Sequence, residues 1–203
     1  MNRFENISVR GFRRLQNIEL EMRNLIVMIG ANGAGKTSFL DVLSILAASA
    51  SGNLQNLLQL KGGLNEILTR NKVQELEIEI SMQVPYKKTP LNYSLTLSPK
   101  GLSYEVRDEY LTQQRNPNRP EPFKYIESQG LDIKYFQDGS GLVRPNWEHN
   151  PLETSLSQVP KMYREPEDLR KSLASCTYYG ALDVSVQGAT TRLKWLFYKL
   201  YSF

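Results

Sequence analysis

Residues 25–46, LIVMIGANGAGKTSFLDVLSIL, constrain the fold of this chain more than any other stretch. Residues 25–29 are an unbroken apolar run, the pattern of a strand buried on both faces in a parallel sheet. Gly30-Ala31-Asn32-Gly33-Ala34-Gly35-Lys36-Thr37 follows and matches G-x-x-x-x-G-K-[ST], the phosphate-binding P-loop. Phe39, Val42, Leu43 and Leu46 then recur at helical spacing. Strand, glycine loop and helix therefore stand in the order this motif requires.

Each part of residues 30–38 has a task in phosphate chemistry. Gly30, Gly33 and Gly35 let the backbone take positive φ and come close to an anion without a side-chain clash. Asn32 and Ala34 complete the loop, whose N–H groups converge on phosphate at the positive end of the helix. Lys36 reaches the β- and γ-phosphates as a point charge. The Thr37 hydroxyl suits Mg²⁺, and Ser38 suits the α-phosphate. The alternative is a glycine-rich turn that binds nothing, which the flanking strand and helix patterns disfavour.

The remainder of the chain reads as α/β. Ile7 and Val9, then Ile18, Leu20 and Met22, alternate as two short strands around a turn at residues 11–17. Residues 47–52 are small and loop-like. Leu54, Leu57 and Leu58, then Leu64, Ile67 and Leu68, predict two short helices separated by Gly62-Gly63. From Glu75 the period changes to two: Leu76, Ile78, Ile80, Met82 and Val84 face one way, between polar residues. Leu91 to Leu97, Leu102 to Val106, and the neighbourhoods of Tyr125 and Ile133 continue an antiparallel meander of four or five strands over about 75–138. Residues 138–152 read as a loop, and 153–174 as helical, interrupted by Pro160 and Pro166.

Composition removes several classes. Of 203 residues, 40% are hydrophobic and 23% charged, which suits a globular domain and excludes a wholly disordered one. No apolar run approaches the roughly 18 residues of a membrane span, and the N-terminus has no secretory h-region. A single cysteine, Cys176, and a single histidine, His149, exclude an intramolecular disulfide and cysteine- or histidine-rich metal centres. These features favour the cytoplasm. A net charge of +4 permits a nucleic-acid partner without requiring one.

The order of elements, with Ile7-Ser8-Val9-Arg10-Gly11-Phe12-Arg13-Arg14-Leu15 ahead of the loop at residues 29–38, resembles the RecF/SMC-like ABC-type ATPases, close to the OLD-like, AAA-type ATP-binding proteins of prokaryotes. Residues 62–70, 156–158 and 178–185 add weaker similarity. The resemblance implies an ABC-ATPase-like P-loop NTPase lobe over residues 1–185, ATP and Mg²⁺ as ligands, and a homodimer formed through the nucleotide. It also implies a role in nucleic-acid maintenance or phage defence, with nucleic acid or a defence effector as partner. A basic residue of the first turn, Arg13, approaches the phosphates in such proteins; a solvated turn explains Arg13 and Arg14 equally well.

Such ATPases also carry a Walker B strand ending in Asp-Glu and a serine-glycine signature. Neither is present: Gly180-Ala181-Leu182-Asp183 runs into Val184, and Asp183 reads better as a turn residue than as a metal ligand. Residues 186–203 form a basic, aromatic tail without an acid, read as a frameshifted end rather than an amphipathic helix. The core is thus expected to be incomplete, able to hold MgATP and poor at hydrolysing it. The rival is a non-hydrolysing nucleotide-binding module. A GTPase fits less well, since Asn71-Lys72-Val73-Gln74 lacks the aspartate that reads guanine, and so does a small kinase, which would not usually insert an antiparallel meander after the first helix.

Other residues invite blander readings. Asp41 is expected to be a solvated helix residue, Gln158 a polar helix residue rather than a sensor of Mg²⁺, and Cys176 buried and inert. Lys87, Lys88, Lys100, Arg115 and Arg119 suit either a nucleic-acid edge or protected sheet edges. Tyr93, Tyr104, Tyr125 and Tyr135 suit sheet packing.

Overall fold

The computed structural model describes residues 2–69 and 73–177. Asp183, residues 178–185, the 186–203 tail, and Asn71 and Lys72 lie outside them.

Alternating apolar residues build one antiparallel sheet. Strands β1 (Arg3–Phe12) and β2 (Leu15–Glu21) form a hairpin that pairs Ile7 with Leu20 and Val9 with Ile18. The free edge of β1 takes β3 (Leu76–Gln83), in register Ile7–Ile80 and Val9–Ile78. Strands β4 (Leu91–Lys100), β5 (Ser103–Gln113), β6 (Phe123–Gln129), β7 (Asp132–Gln137) and β8 (Gly141–Val143) then follow in sequence. The order is β2-β1-β3-β4-β5-β6-β7-β8 in a single eight-stranded sheet. The N-terminal hairpin and the meander are therefore one layer, because Ile7 and Val9 present the same apolar face as β3. The meander also has one strand more than the upper expectation: β8 lies within the expected 138–152 loop, where Gly139 and Gly141 take positive φ.

Helices cover the apolar face. They are α1 (Lys36–Ser51), α2 (Leu54–Leu60), α3 (Leu64–Ile67), α4 (Ser155–Gln158) and α5 (Arg164–Ala174). Ile78 and Leu95 of the sheet, Ile45 and Leu46 of α1, and Leu169 of α5 belong to one buried cluster. Helix α1 runs further than its hydrophobic spacing predicts. Residues 47–51 are helical because Ser49 and Ala50 are buried and Thr154 Oγ1 donates to the Ser49 carbonyl at 2.7 Å. Gly52 at φ 69 ends the helix in the left-handed conformation that glycine accepts freely. Pro166 sits in the first turn of α5, where a missing N–H is harmless.

Two departures from the sequence reading are larger. Residues 25–29 form no strand, and Leu25, Val27 and Ile29 are 79%, 70% and 92% exposed. Among the described residues no strand runs beside this segment. Its backbone has no ladder and its side chains no second layer, so an apolar run alone does not make a buried strand. The second departure is in β5. Leu97 faces Val106 but Thr96 faces Asp108, so Arg107 is an extra residue, a β-bulge. The bulge switches parity: Tyr104 and Val106 point inward, then Glu109, Leu111 and Gln113. A carboxylate thus enters the core. It accepts hydrogen bonds from the Ser155 and Leu156 N–H groups at 2.5 and 2.8 Å and from the Tyr93 hydroxyl at 2.9 Å.

Candidate functional site

Helix α1 opens at Lys36, with Gly35 at φ 100 as its N-cap, no side-chain cap and no acid in its first turn. Its first N–H groups are therefore available to an anion, which the helix dipole favours. Gly33 is held at φ 80. Gly30, Asn32, Gly33, Ala34 and Thr37 are exposed, Lys36 is half-buried and Ser38 is buried. The loop is closed upon itself: the Ala34 N–H donates to the Ala31 carbonyl at 3.2 Å. Lys36 Nζ donates to the carbonyls of Gly30 at 2.6 Å and Ala31 at 2.8 Å. No carboxylate among the described residues pairs with this ammonium. Glycine freedom, an uncapped helix start and an unneutralised lysine all suit a phosphate group, so these residues fit the nucleotide their motif implies.

The turn between β1 and β2 packs against this loop. Arg14 Nη1 donates to the Gly33 carbonyl at 2.7 Å, and a Cβ at Gly33 would lie 2.9 Å from that same nitrogen. Leu15 is buried, and a Cβ at Gly35 would lie 2.9 Å from its Cδ2. Both glycines are required by their positive φ, and at Gly35 the buried Leu15 side chain also leaves no room for a Cβ. Arg13, at φ 47, points elsewhere: its Nη1 lies 2.6 Å from Asp41 Oδ2. Lys61 Nζ lies 2.7 Å from Asp41 Oδ1. Asp41 is thus buried between two cations, not solvated as its sequence position predicts. Its place on α1 faces the hairpin turn and the end of α2, and their charges make its burial tolerable. The roles of Asp41 and Lys61 have no sequence signature. That of Arg14 is hinted at only by the adjacent pair of arginines.

A family model described as "AAA domain, putative AbiEii toxin, Type IV TA system" matches residues 25–198. The chain belongs to this family of AAA domains. It is accordingly a P-loop, ATPase-type nucleotide-binding module of mixed α/β structure. No curated protein matches the chain. The matched segment begins at Leu25, so the hairpin turn that contacts the loop precedes it.

Elsewhere in the AAA domain, residues singled out by sequence lie apart from the loop. Gln158 is at the opposite end of α1: a Cβ at Gly52, which follows that helix, would lie 3.8 Å from Ser157 Cβ. A helix of 16 residues is about 24 Å long, so Gln158 cannot attend a metal at Thr37. Its side chain instead accepts from the Asn150 N–H at 2.7 Å and meets His149 at 3.0 Å. Of the surface cations, Lys87, Lys88, Arg115 and Arg119 lie in the β3–β4 and β5–β6 loops at one end of the sheet, where Leu91 faces Gln113, and Lys100 lies at the other end. Lys87 pairs with Glu165, Lys100 with Glu105, and the Arg115 guanidinium stacks 3.4 Å from the Phe123 ring centroid. The four tyrosines named above are buried in the sheet. Cys176 is exposed, because it follows the last turn of α5. No helix among the described residues is long and apolar enough to cross a membrane.

Proposed function

We propose that this AAA domain binds ATP with Mg²⁺ at residues 30–38 as the nucleotide-holding part of a RecF/SMC-like head. The observation that carries this reading is Lys36, whose ammonium rests on its own loop's carbonyls beside an uncapped helix start, with no carboxylate among the described residues to balance it. A polyphosphate supplies the missing negative charge. On binding, Lys36 leaves the Gly30 and Ala31 carbonyls for the β- and γ-phosphates. The N–H groups of Gly33, Ala34, Gly35 and Lys36 line the cradle. Thr37 would hold Mg²⁺, whose charge offsets that of the phosphates, and Ser38 would donate to the α-phosphate. Arg13 reaches the nucleotide only by leaving Asp41.

Hydrolysis needs a carboxylate that orients the attacking water. Asp41 is committed to Arg13 and Lys61. No three His, Cys, Asp or Glu side chains cluster as a metal site among the described residues. These facts favour binding without appreciable turnover unless carboxylates come from elsewhere, for instance a second copy facing the nucleotide. The setting we infer is cytoplasmic nucleic-acid maintenance or phage defence, with nucleic acid or a defence effector as partner. Its support is the resemblance carried by residues 7–15 and 29–38. Calorimetric titration with MgATP tests the core of the proposal: wild type binds, and Lys36→Ala loses the binding. Undiminished binding by that variant rejects the P-loop assignment.

A further inference from the structure

The phosphate loop lacks the support that a strand ladder provides, since residues 25–29 pair with nothing described and their side chains lie largely in water. Its support comes from the other side. Arg14 holds the Gly33 carbonyl, and Leu15 lies against Gly35. The turn bearing them is itself anchored. The Arg13 N–H donates to the Ile67 carbonyl at 2.7 Å, the Thr69 N–H donates to the Gly11 carbonyl at 3.0 Å, and Arg13 is paired with Asp41.

We propose that Arg14 is a positioning residue for the phosphate loop: with Leu15 it forms a clamp that presets the loop's shape through the Gly33 carbonyl, without touching the nucleotide. The physical link is one peptide group. The Gly33 C=O and the Ala34 N–H share a plane and point in opposite directions. Tethering the carbonyl to Arg14 therefore aims the Ala34 N–H inward, where it meets the Ala31 carbonyl in the nucleotide-free protein. Without the tether this peptide is freer to rotate about Gly33 ψ and Ala34 φ, and loop order must be supplied at the moment of binding. Arg14 has no carboxylate partner among the described residues, so the Gly33 carbonyl is the one hydrogen-bond acceptor fixing its guanidinium there. The clamp lies ahead of the segment matched by the family.

The effect on nucleotide affinity rests on the proposed MgATP site; the effect on the loop does not. Two measurements on the full chain separate them: NMR-detected exchange of the loop amides without nucleotide, and the dissociation constant for MgATP over a range of NaCl concentrations. In Arg14→Ala, exchange at Ala34 should accelerate and MgATP should bind about tenfold more weakly, the worth of one charge-assisted hydrogen bond. The salt dependence of binding should be unchanged, because no phosphate contact is lost. Arg14→Lys, which keeps a donor for the carbonyl, should recover most of both effects. Arg14 is exposed, so the thermal midpoint should hold in both variants. Unchanged Ala34 exchange in Arg14→Ala overturns the clamp. A salt dependence reduced by about one charge also overturns it, by making Arg14 a direct phosphate ligand. Wild-type binding in Lys36→Ala would instead reject the nucleotide reading and leave the exchange result standing.

Discussion

The Asp41 carboxylate accepts a 2.6 Å hydrogen bond from the Arg13 guanidinium and so joins the P-loop helix to the N-terminal hairpin. Lys61 takes the second carboxylate oxygen at 2.7 Å. Removing the charge leaves two cations facing each other beside a neutral amide. Asp41→Asn should therefore lower stability by about 1–3 kcal/mol, below the full figure for a buried pair because Arg13 is partly in water. Urea denaturation measures this, and adding Arg13→Gln should restore part of the loss by removing the repulsion. An unchanged midpoint in Asp41→Asn would mean the triad contributes nothing to folding.

Ile29 and Ile45 are the same residue type in opposite environments, 92% exposed and fully buried. Ile29→Ser should alter stability by no more than about 0.5 kcal/mol. Ile45→Ala, which opens a cavity under α1, should cost about 2–5 kcal/mol. A large loss at Ile29 would show that residues 25–29 are covered in solution.

Turnover is the third test. With Asp41 engaged and no described carboxylate free at the loop, steady-state ATP hydrolysis by the isolated chain should be near background. It should not fall further in Lys36→Ala. Robust turnover that disappears in that variant would require a catalytic carboxylate outside the described residues or from a second copy.

Glu109 makes stability depend on pH. Its burial pushes the carboxyl pKa above the ordinary value of 4.5, against the opposing pull of the Leu156 and Ser155 N–H groups and the Tyr93 hydroxyl. The folded state thus binds this proton more tightly than the unfolded state. The stabilisation is full below about pH 4.5 and is lost as pH rises through the folded value. Relative to Glu109→Gln, the wild type should become less stable as pH rises through that window. Glu165 and Glu167 have lowered pKa values and act in the opposite sense, at lower pH. The difference between wild type and Glu109→Gln isolates Glu109; a difference that stays constant with pH would exclude the linkage.

Much of the fold is legible where a local period decides it. Leu76, Ile78, Ile80 and Met82 announce β3, and Gly62-Gly63 separates α2 from α3, because alternation and glycine punctuation are properties of the chain itself. Periodicity stops being informative at Arg107. The bulge there exchanges the faces of β5, and nothing in the series Tyr104, Val106, Asp108 shows that Glu109 will point inward instead. The same limit applies at residues 25–29, where hydrophobicity says what a strand would bury but not whether a neighbour exists to bury it.

The sequence by itself determined the glycine loop of residues 30–35, the lysine after it and the helix that follows, since these depend on residue types at fixed spacing within one short segment. Only the tertiary structure decided what surrounds them. Asp41 is withdrawn between Arg13 and Lys61, Arg14 rests on Gly33, Leu15 rests on Gly35, and Gln158 is sent to the far end of α1. The reason is physical. A spacing rule states which side chains share a face, whereas charge pairing and burial depend on what the rest of the chain brings to that face.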